Sequence, residues 1–277
     1  MYKIIAHPGS AHKDDFLSTS VLLSTLDNAM VYRREPTLAD LDDSRTFVVD
    51  VGMEYDPKRR NFDHHQDPAL PCAFHLIMQH LGLHQAAIQV FSWYPYLSMI
   101  DVRGPYRAAE HLGIDSDVLF TTSSPIDGYI LAKFTQISSL NSNDGLYLLM
   151  KDFGRDMLAL IQRKIERFER LKIEAQLLPI KQFKAVFSEI VDTPKLAMDM
   201  YLRYLADEQI VMNILPSNRC QGWELVRLGD NRNVDFRAIA RCPEIRFVHA
   251  SGVLAKTHSL ISLQELLPLA CQAVADS

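Results

Sequence analysis

Three short runs near the start of the chain carry side chains that bind metal ions. Together they hold four histidines and four aspartates, whereas the whole chain has ten histidines. Imidazole and carboxylate groups together bind divalent ions such as manganese, zinc and iron. The composition of the runs therefore predicts a metal site. The runs are His7-Pro-Gly-Ser-Ala-His12-Lys-Asp14-Asp15, Val48-Val49-Asp50-Val51-Gly52 and Asp63-His64-His65-Gln66.

A site for two metal ions needs a carboxylate that can bridge them, and Asp50 is the candidate. Two divalent ions about 3.5 to 4 Å apart activate a water near neutral pH and neutralise the charge that builds on a phosphoryl group. The residues therefore predict hydrolysis of a phosphoester. Alternatively, the donors are solvated loop residues or helix caps, since Asp14 and Asp15 would be ordinary charges at a helix start. One cap does not explain three runs.

The elements around the runs predict an α/β fold. Tyr2 to Ala6 is a short apolar stretch typical of a buried strand, and Phe16 to Asn28 has helical spacing. Further strands are expected at Met30 to Arg33 and at Thr46 to Asp50. Strands that alternate with helices predict a parallel sheet, and ligands gather beyond the carboxyl ends of such strands. His7 and Asp50 lie at such ends.

The sequence as a whole predicts three segments. We expect residues 1–145 to form a metal-binding catalytic domain, 146–176 a connector helix and 177–277 a smaller, mixed α/β domain, to which the family resemblance given below with its residues adds substrate binding. Ser138 to Gly145 is expected to be a loop. An apolar, helix-like stretch is expected from Tyr96 to Ile100, just before Asp101. The other expected helices span about 72–81, 85–94, 195–205 and 262–275, and the other expected strands 183–187, 210–215, 224–228 and 246–250.

The composition is that of a globular protein, with 48% hydrophobic and 23% charged residues. No apolar run approaches the roughly 20 residues that span a bilayer, and the N-terminus lacks the apolar core of a signal peptide. We therefore expect a cytoplasmic protein with no membrane partner. A net charge of -5 argues against a generally basic nucleic-acid-binding surface. The sequence leaves the oligomeric state open, a homodimer included.

The same three runs, together with Phe247-Val248-His249-Ala250-Ser251-Gly252, resemble the melanocyte proliferating gene family, which has been described as metal-dependent protein hydrolases. That family is similar to the DHH phosphoesterases, which include single-strand exonucleases, oligoribonucleases and manganese pyrophosphatases. The resemblance implies a DHH-phosphoesterase-like parallel-sheet domain followed by a smaller mixed α/β domain. It also implies two divalent metal ions as cofactors, with manganese favoured and zinc or magnesium as alternatives.

The resemblance implies a ligand set for each ion, with Asp50 in both. The broader superfamily has an aspartate where His12 stands, so this site would carry one fewer negative charge and more nitrogen character. The implied ligands are His7, His12 and Asp50 for one ion and Asp14, Asp50, His64 and Asp101 for the other.

Two further groups of residues receive roles from the resemblance. His65 would face the substrate, where it can bond a phosphate oxygen or help protonate the leaving group. Asp63 would orient a histidine rather than bind metal. Near the end of the chain, the residues implied to bind substrate are His249, Ser251 and Gly252. Lys256 follows where the relatives have a glycine pair, and it would supply a cation.

We therefore expect a phosphodiesterase that acts on single-stranded RNA or short oligonucleotides by two-metal hydrolysis, and the resemblance implies that it is a 3′-5′ exonuclease. One alternative is hydrolysis of a small phosphorylated metabolite or of pyrophosphate. Another is a protein that binds metal without catalysis. Lys58-Arg59-Arg60 precedes one donor run and could attract a polyanion. Four aromatic residues either stack bases or fill a core, namely Trp93, Tyr94, Tyr96 and Trp223.

Overall fold

The computed structural model describes residues 1–121, 124–191 and 197–275. The chain divides into two compact units, Met1–Gln162 and Arg163–Ser277. Each unit is built on one six-stranded sheet. The division falls inside the longest helix, Gly145–Glu174, which is the helix that the sequence predicts as a connector. In the described ranges, no helix combines the length and the apolar character that crossing a membrane requires.

The sheet of the first unit has the strand order β4-β5-β3-β1-β2-β6. Strand β1 pairs in parallel with β2 and β3, and β3 pairs in parallel with β5. The edge strands β4 and β6 are antiparallel. The prediction of a parallel sheet is therefore confirmed for its centre. The strands are β1 Tyr2–Ala6, β2 Ala29–Arg33, β3 Thr46–Val49, β4 Tyr55–Asp56, β5 Asn61–Phe62 and β6 Ser139–Leu140.

Among the described residues, nine helices begin in the first unit. The ninth is the long helix, which ends in the second unit. All residues of β3 are buried, as are Ile4, Ile5 and Ala6 of β1. Near-continuous burial is expected for parallel strands that are covered on both faces. The helices are α1 Lys13–Thr25, α2 Leu38–Asp42, α3 Ala73–His80, α4 His84–Val90, α5 Tyr94–Arg103, α6 Pro105–Leu112, α7 Ser116–Thr121, α8 Pro125–Thr135 and α9 Gly145–Glu174.

The strand register brings the donor runs to one edge of the sheet. Ala6 at the end of β1 is paired with Val49 at the end of β3. Val49 is paired in turn with Phe62, the last residue of β5. The residues that follow these three strand ends are His7, Asp50 and Asp63. All three donors therefore lie side by side at the carboxyl edge of the sheet.

The second unit contains a mixed sheet with the order β11-β12-β10-β9-β8-β7. Only β8 and β9 are paired in parallel among these neighbours. The expected mixed α/β architecture is confirmed. Its elements are β7 Gln176–Ile180, β8 Phe183–Phe187, α10 Met198–Leu205, β9 Ile210–Pro216, β10 Trp223–Arg227, a 3-10 helix Phe236–Ile239, β11 Ile245–Val248, β12 Leu254–Thr257 and α11 Leu263–Gln272.

Several boundaries differ from those expected from sequence. The helix expected to reach Tyr94 ends at Val90, and a new helix starts at Tyr94 with Pro95 in its first turn. Proline favours the first turn because it has no N–H to donate. Asp101 consequently lies inside α5 rather than after a helix. Strand β6 occupies part of the segment expected to be a loop. The helix expected from Lys195 begins outside the described residues.

Asp40 joins α2 to the loop before it and is the basis of a stability prediction. Its side chain is 7% exposed and accepts a bond from Arg34 Nη1 at 2.8 Å. It also accepts bonds from the backbone and hydroxyl of Thr37 at 2.9 and 2.7 Å. The bonds from Arg34, and then those from Thr37, hold the pKa of Asp40 below its usual range.

We expect Asp40→Asn to lower the free energy of unfolding by about 1 kcal/mol at neutral pH. Because the folded-state pKa of Asp40 is lowered, its contribution is complete above the unfolded pKa and is lost as pH falls through the folded pKa. The difference between variant and parent should therefore shrink in acid. Urea unfolding of both proteins, from pH 7 down to the lowest pH at which they remain folded, measures this difference in the free energy of unfolding. A difference that stays constant with pH would contradict the prediction.

Candidate metal centre

Helix α1 carries two donors into the site from its first turn. Asp14 and Asp15 are both fully buried. The backbone N–H of His12, the residue before the helix, donates to Asp15 Oδ1 at 3.1 Å. This bond satisfies one donor at the helix start, and an acidic group is favourable there because of the helix dipole. The first turn therefore has a local reason to contain aspartates, yet both lie buried rather than solvated.

Four of the predicted ligands meet in one group. Each of Asp14, Asp50, His64 and Asp101 offers a ligand atom, and these atoms lie within 4.8 Å of one another. His64 Nε2 is 3.1 Å from Asp50 Oδ1 and 3.1 Å from Asp101 Oδ2. Burial opposes the charged imidazole, but hydrogen bonds to Asp101 and Asp50 raise the pKa of His64 to about 10. A single cation can reach all four side chains.

A second group shares Asp50 with the first. It consists of His7, Asp15 and Asp50, again with ligand atoms within 4.8 Å of one another. The sequence predicts His12 in this group. His12 Nδ1 lies 4.0 Å from Asp101 Oδ1, and the side chain is 52% exposed. Its ring stacks on His7 with centroids 5.8 Å apart. His12 therefore lies at the rim of the site, and its role as a ligand stays a prediction.

Unpartnered polar atoms indicate that the donor set fits a divalent cation. Within the described residues, Asp14 Oδ1, Asp14 Oδ2 and His7 Nδ1 are buried and have no hydrogen-bond partner. A buried polar atom without a partner costs about 1–3 kcal/mol. Burial, and then the charges of Asp50 and Asp101, raise the pKa of Asp14 well above its usual range. A cation would bind the free oxygens and offset this repulsion, and mixed nitrogen and oxygen donors suit manganese or zinc.

The backbone at Asp50 adopts a conformation that is uncommon for residues other than glycine. Asp50 has φ 59°, in the left-handed region, and the Gly52 φ is 99°. Such conformations persist where the surrounding structure holds them, and they concentrate at functional sites. A side chain on Gly52 would approach Pro36 Cγ to 3.0 Å. The turn after β3 therefore holds the Asp50 carboxylate in the ligand cluster, and Gly52 permits the backbone conformation of that turn.

Asp63 orients His65 and holds the backbone of His64, and it is in none of the groups of ligand atoms found among the described residues. Its Oδ1 lies 2.6 Å from His65 Nδ1 and accepts a bond from the His64 backbone at 2.7 Å. Its Oδ2 accepts from the Met53 backbone at 2.6 Å. Burial opposes ionisation, but the bonds from His65 and Met53 lower the pKa of Asp63. Because Nδ1 is engaged, Nε2 of the half-exposed His65 is the nitrogen available to a ligand.

Arg33 is a site residue that the sequence does not single out. Its side chain is 2% exposed and its guanidinium donates to Asp15 Oδ2 at 3.3 Å. It also donates to the Gly9 carbonyl at 3.1 Å and the Phe134 carbonyl at 3.0 Å. Burial raises the pKa of Asp15 to about 8, although Arg33 opposes the shift. The position of Arg33 in the sequence could have indicated its role, because Arg33 ends a predicted strand. In the structure it is paired with Ala6 at the carboxyl end of the sheet.

The residues implied to bind substrate lie in the second unit, around the turn between β11 and β12. The Ser251 backbone donates to His249 Nδ1 at 3.2 Å, and the Ser251 hydroxyl lies 2.7 Å from the same nitrogen. Gly252 has φ 70°, and a side chain there would collide with the Asp235 carboxylate. Lys256 Nζ lies 2.8 Å from Glu224 Oε2. The Lys256 ammonium is already paired, and the substrate-binding role of this segment stays a prediction.

One family of proteins matches the N-terminal part of the chain. Residues 3–72 match the family model MYG1_exonuc, described as Uncharacterised protein family (UPF0160). The matched region contains all three donor runs and covers about a quarter of the chain. The family resemblance carried by those runs is confirmed over this region. Asp101 and the segment from Phe247 to Gly252 lie beyond it. No curated protein matches the chain.

Three solved structures show distant similarity. The pGpG-specific phosphodiesterase PggH from Vibrio cholerae is 12% identical, with 98% of each chain covered and a TM-score of 0.32. RecJ from Thermus thermophilus, in complex with Mn²⁺, is 14% identical, with 98% of this chain and 51% of RecJ covered and a TM-score of 0.33. An exopolyphosphatase-related protein from Bacteroides fragilis is 10% identical, with 98% and 91% covered and a TM-score of 0.26. These scores carry no argument about function.

Proposed function

We propose that this protein is a metal-dependent phosphodiesterase that uses two divalent ions, and that it degrades single-stranded RNA or short oligonucleotides from the 3′ end. The observation that carries the proposal is the position of Asp50, whose carboxylate belongs to the two ligand groups described above and to a third with His64 and His65. A two-metal site needs such a shared carboxylate. The match of residues 3–72 to a family model named for an exonuclease supports the same chemistry.

The residues of the site have distinct tasks in this proposal. Asp14, Asp50, His64 and Asp101 would hold one ion, and His7 and Asp50 would hold the other together with His12 or Asp15. When bound, the ions supply the positive charge that activates an attacking water and stabilises the phosphoryl group.

The chain's own side chains would act on the substrate around these ions. Asp63 holds the His65 ring through Nδ1. His65 Nε2 would therefore bond a phosphate oxygen or deliver a proton to the leaving group. Arg33 holds the Gly9 loop and Asp15 in place. We propose manganese as the working ion because nitrogen ligands accompany the carboxylates. Magnesium favours oxygen ligands, and it and zinc remain the alternatives.

A substrate panel tests the proposal. The protein is stripped with a chelator, reloaded with Mn²⁺, Mg²⁺ or Zn²⁺, and incubated with 5′-labelled single-stranded RNA, a dinucleotide and pyrophosphate. We expect a ladder of labelled RNA products that shortens from the 3′ end, and RNA with a blocked 3′ end should resist. Cleavage of pyrophosphate alone would favour the small-phosphate alternative. Tight metal binding without hydrolysis of any substrate would favour a non-catalytic protein.

Both arginines of the basic run before the third donor run are engaged within the protein, whereas Lys58 is exposed. Arg59 forms ion pairs with Glu54 and Asp42. Arg60 donates to the Ser44 carbonyl and lies over the Phe47 ring. Both guanidinium groups are therefore used within the protein.

Two exposed arginines follow Asp101 closely in the sequence, Arg103 at the end of α5 and Arg107 in the first turn of α6. They line a recess of about 540 Å³, whose other lining residues are Pro68, Val102, Glu110 and His111. Among the described residues, neither arginine forms an ion pair. This recess is the better candidate for contact with a nucleic-acid backbone.

We expect the double change Arg103→Gln with Arg107→Gln to raise KM for RNA about tenfold at low salt and to reduce its salt dependence, because each lost phosphate contact reduces counterion release. KM for a dinucleotide should change little. Arg45→Gln is the matched control, since Arg45 is exposed and precedes β3 at the opposite edge of the sheet. Steady-state kinetics at low and at high salt measure the effect. Equal changes in the control and the double variant would contradict the prediction.

A further inference from the structure

The first unit contains an apolar pocket beside the metal ligands. Helices α1, α5, α8 and α9 enclose a volume of about 520 Å³, within the range of sites that bind small ligands. Trp93 and Tyr96 in its wall remain 40% and 42% exposed. Exposed aromatic faces that meet in a concave site indicate a binding surface. Its apolar lining includes Phe16, Leu17, Trp93, Tyr96, Leu149 and Phe153.

The pocket and the metal ligands share helix faces. On α1, Leu17 lines the pocket three residues after Asp14. On α5, Leu97 lines the pocket four residues before Asp101. Residues three or four apart lie on the same face of a helix, separated by about one turn of 5.4 Å. Along both helices, the pocket is therefore one turn away from the cluster that would hold cations.

The rim of the pocket has few polar groups. Lys13 on α1 and Asp127 on α8 form an ion pair at 2.7 Å, and they are 52% and 43% exposed. The walls otherwise offer ring faces and aliphatic side chains. Such a lining allows stacking but does not distinguish the hydrogen-bonding edges of different bases. Stacking on aromatic side chains tolerates any base because every base has a π-face.

We propose that this pocket binds the nucleobase of a nucleotide whose phosphate lies at the metal cluster. The inference rests on the proposed phosphodiesterase function and specifies its substrate class. A ligand that spans the metal cluster and the pocket must have an anionic group at one end and a flat, apolar group at the other. A nucleotide has both, as its phosphate and its base. Pyrophosphate or another base-free phosphate would leave the pocket unused. The pocket therefore selects nucleotides over polyphosphates without selecting a base sequence.

Tryptophan fluorescence tests binding independently of activity. The chain has two tryptophans, and Trp223 belongs to the second unit and is 6% exposed. With selective excitation of tryptophan in the presence of Mg²⁺, the protein should show saturable quenching by adenosine 5′-monophosphate. Ribose 5-phosphate, which lacks the base, should cause no comparable quenching. Trp93→Phe should remove the signal. Equal responses to the two ligands, or quenching that survives Trp93→Phe, would overturn the proposal.

A matched pair of variants tests the pocket in catalysis. Leu149 lines the pocket and is 49% exposed, whereas its neighbour Leu148 is 50% exposed and is not among the lining residues. Leu149→Trp should fill the pocket and raise KM for a dinucleotide about tenfold, with kcat within about twofold, because a stacked base contributes that much binding. Leu148→Trp should have no effect. Neither change should affect KM for a dinucleotide with abasic sugars. Circular dichroism verifies that both variants fold.

The outcomes separate this inference from the proposed function. Unchanged KM in Leu149→Trp, with metal-dependent hydrolysis intact, would overturn the pocket and leave the function standing. Quenching by the nucleotide without hydrolysis of any phosphodiester would support the pocket and overturn the function. A change of oligomeric state in Leu149→Trp by light scattering, with nucleotide binding unaffected, would instead identify this face as an interface between two copies and overturn the proposal.

Discussion

Asp50→Asn is expected to lower kcat/KM for phosphodiester hydrolysis by about a thousandfold or more, since removal of a shared ligand affects both ions at once. Asp50 belongs to all three groups of ligand atoms found among the described residues, and its side chain is 1% exposed. Asparagine keeps the size of the side chain but cannot bridge two cations. Loss of activity should therefore accompany loss of metal, measured by isothermal titration with Mn²⁺.

The choice of asparagine follows from the backbone. Asp50 has φ 59°, a conformation that asparagine tolerates better than most residues. Asp50→Ala would add backbone strain and confuse loss of metal with loss of folding. Asp27→Asn is the control, because Asp27 is exposed and precedes β2 at the opposite edge of the sheet. An Asp50→Asn protein with more than about a tenth of the parent activity would contradict a two-metal mechanism.

Asp14→Asn is expected to stabilise the metal-free protein and to abolish its stabilisation by metal. Among the described residues, neither oxygen of Asp14 has a hydrogen-bond partner, and the carboxylates of Asp50 and Asp101 are close by. An amide removes one charge from this repulsive cluster and can donate to its neighbours, which should add about 1–3 kcal/mol to the free energy of unfolding. The parent should gain about 2.7 kcal/mol at a hundredfold excess of Mn²⁺ over Kd.

Thermal unfolding in chelator and in Mn²⁺ measures both parts of this prediction. The variant should melt above the parent in chelator and below it in saturating Mn²⁺. This reversal is specific to a metal ligand, because a residue with a purely structural role would lower both melting temperatures. Asp27→Asn should leave both close to those of the parent. A variant that melts below the parent in chelator would show that Asp14 supports the metal-free fold and would contradict its role as a ligand.

Local patterns in the sequence were sufficient for the framework of the site. Apolar stretches end at His7 and Asp50, and a buried parallel strand requires such a stretch. Because neighbouring parallel strands end at the same edge, the two donors had to lie close together. Asp14, Asp50, His64 and Asp101 lie close together, and their role as ligands of one ion stays a prediction. Periodicity likewise predicted the long helix now bounded by Gly145 and Glu174.

Contacts between distant parts of the chain decided the features of the site and the fold that local patterns did not predict. The pairing of Arg33 with Asp15 joins the end of β2 to the start of α1, and no local pattern specifies that contact. The same is true of the exposed position of His12 and of the pairing of Lys256 with Glu224. The short helices between Pro105 and Thr135 were not expected, since each is short and many of their large apolar residues remain exposed.

The pocket is the clearest case of a feature that only the tertiary structure could decide. Its walls bring together Phe16, Trp93 and Leu149 from helices far apart in the chain. In the sequence, each of these residues is compatible with an ordinary core position. Hydrophobic spacing determines which face of a helix is apolar, because that depends on neighbours within a few turns. Whether that face is filled by packing or left open for a ligand depends on how the separate helices pack together.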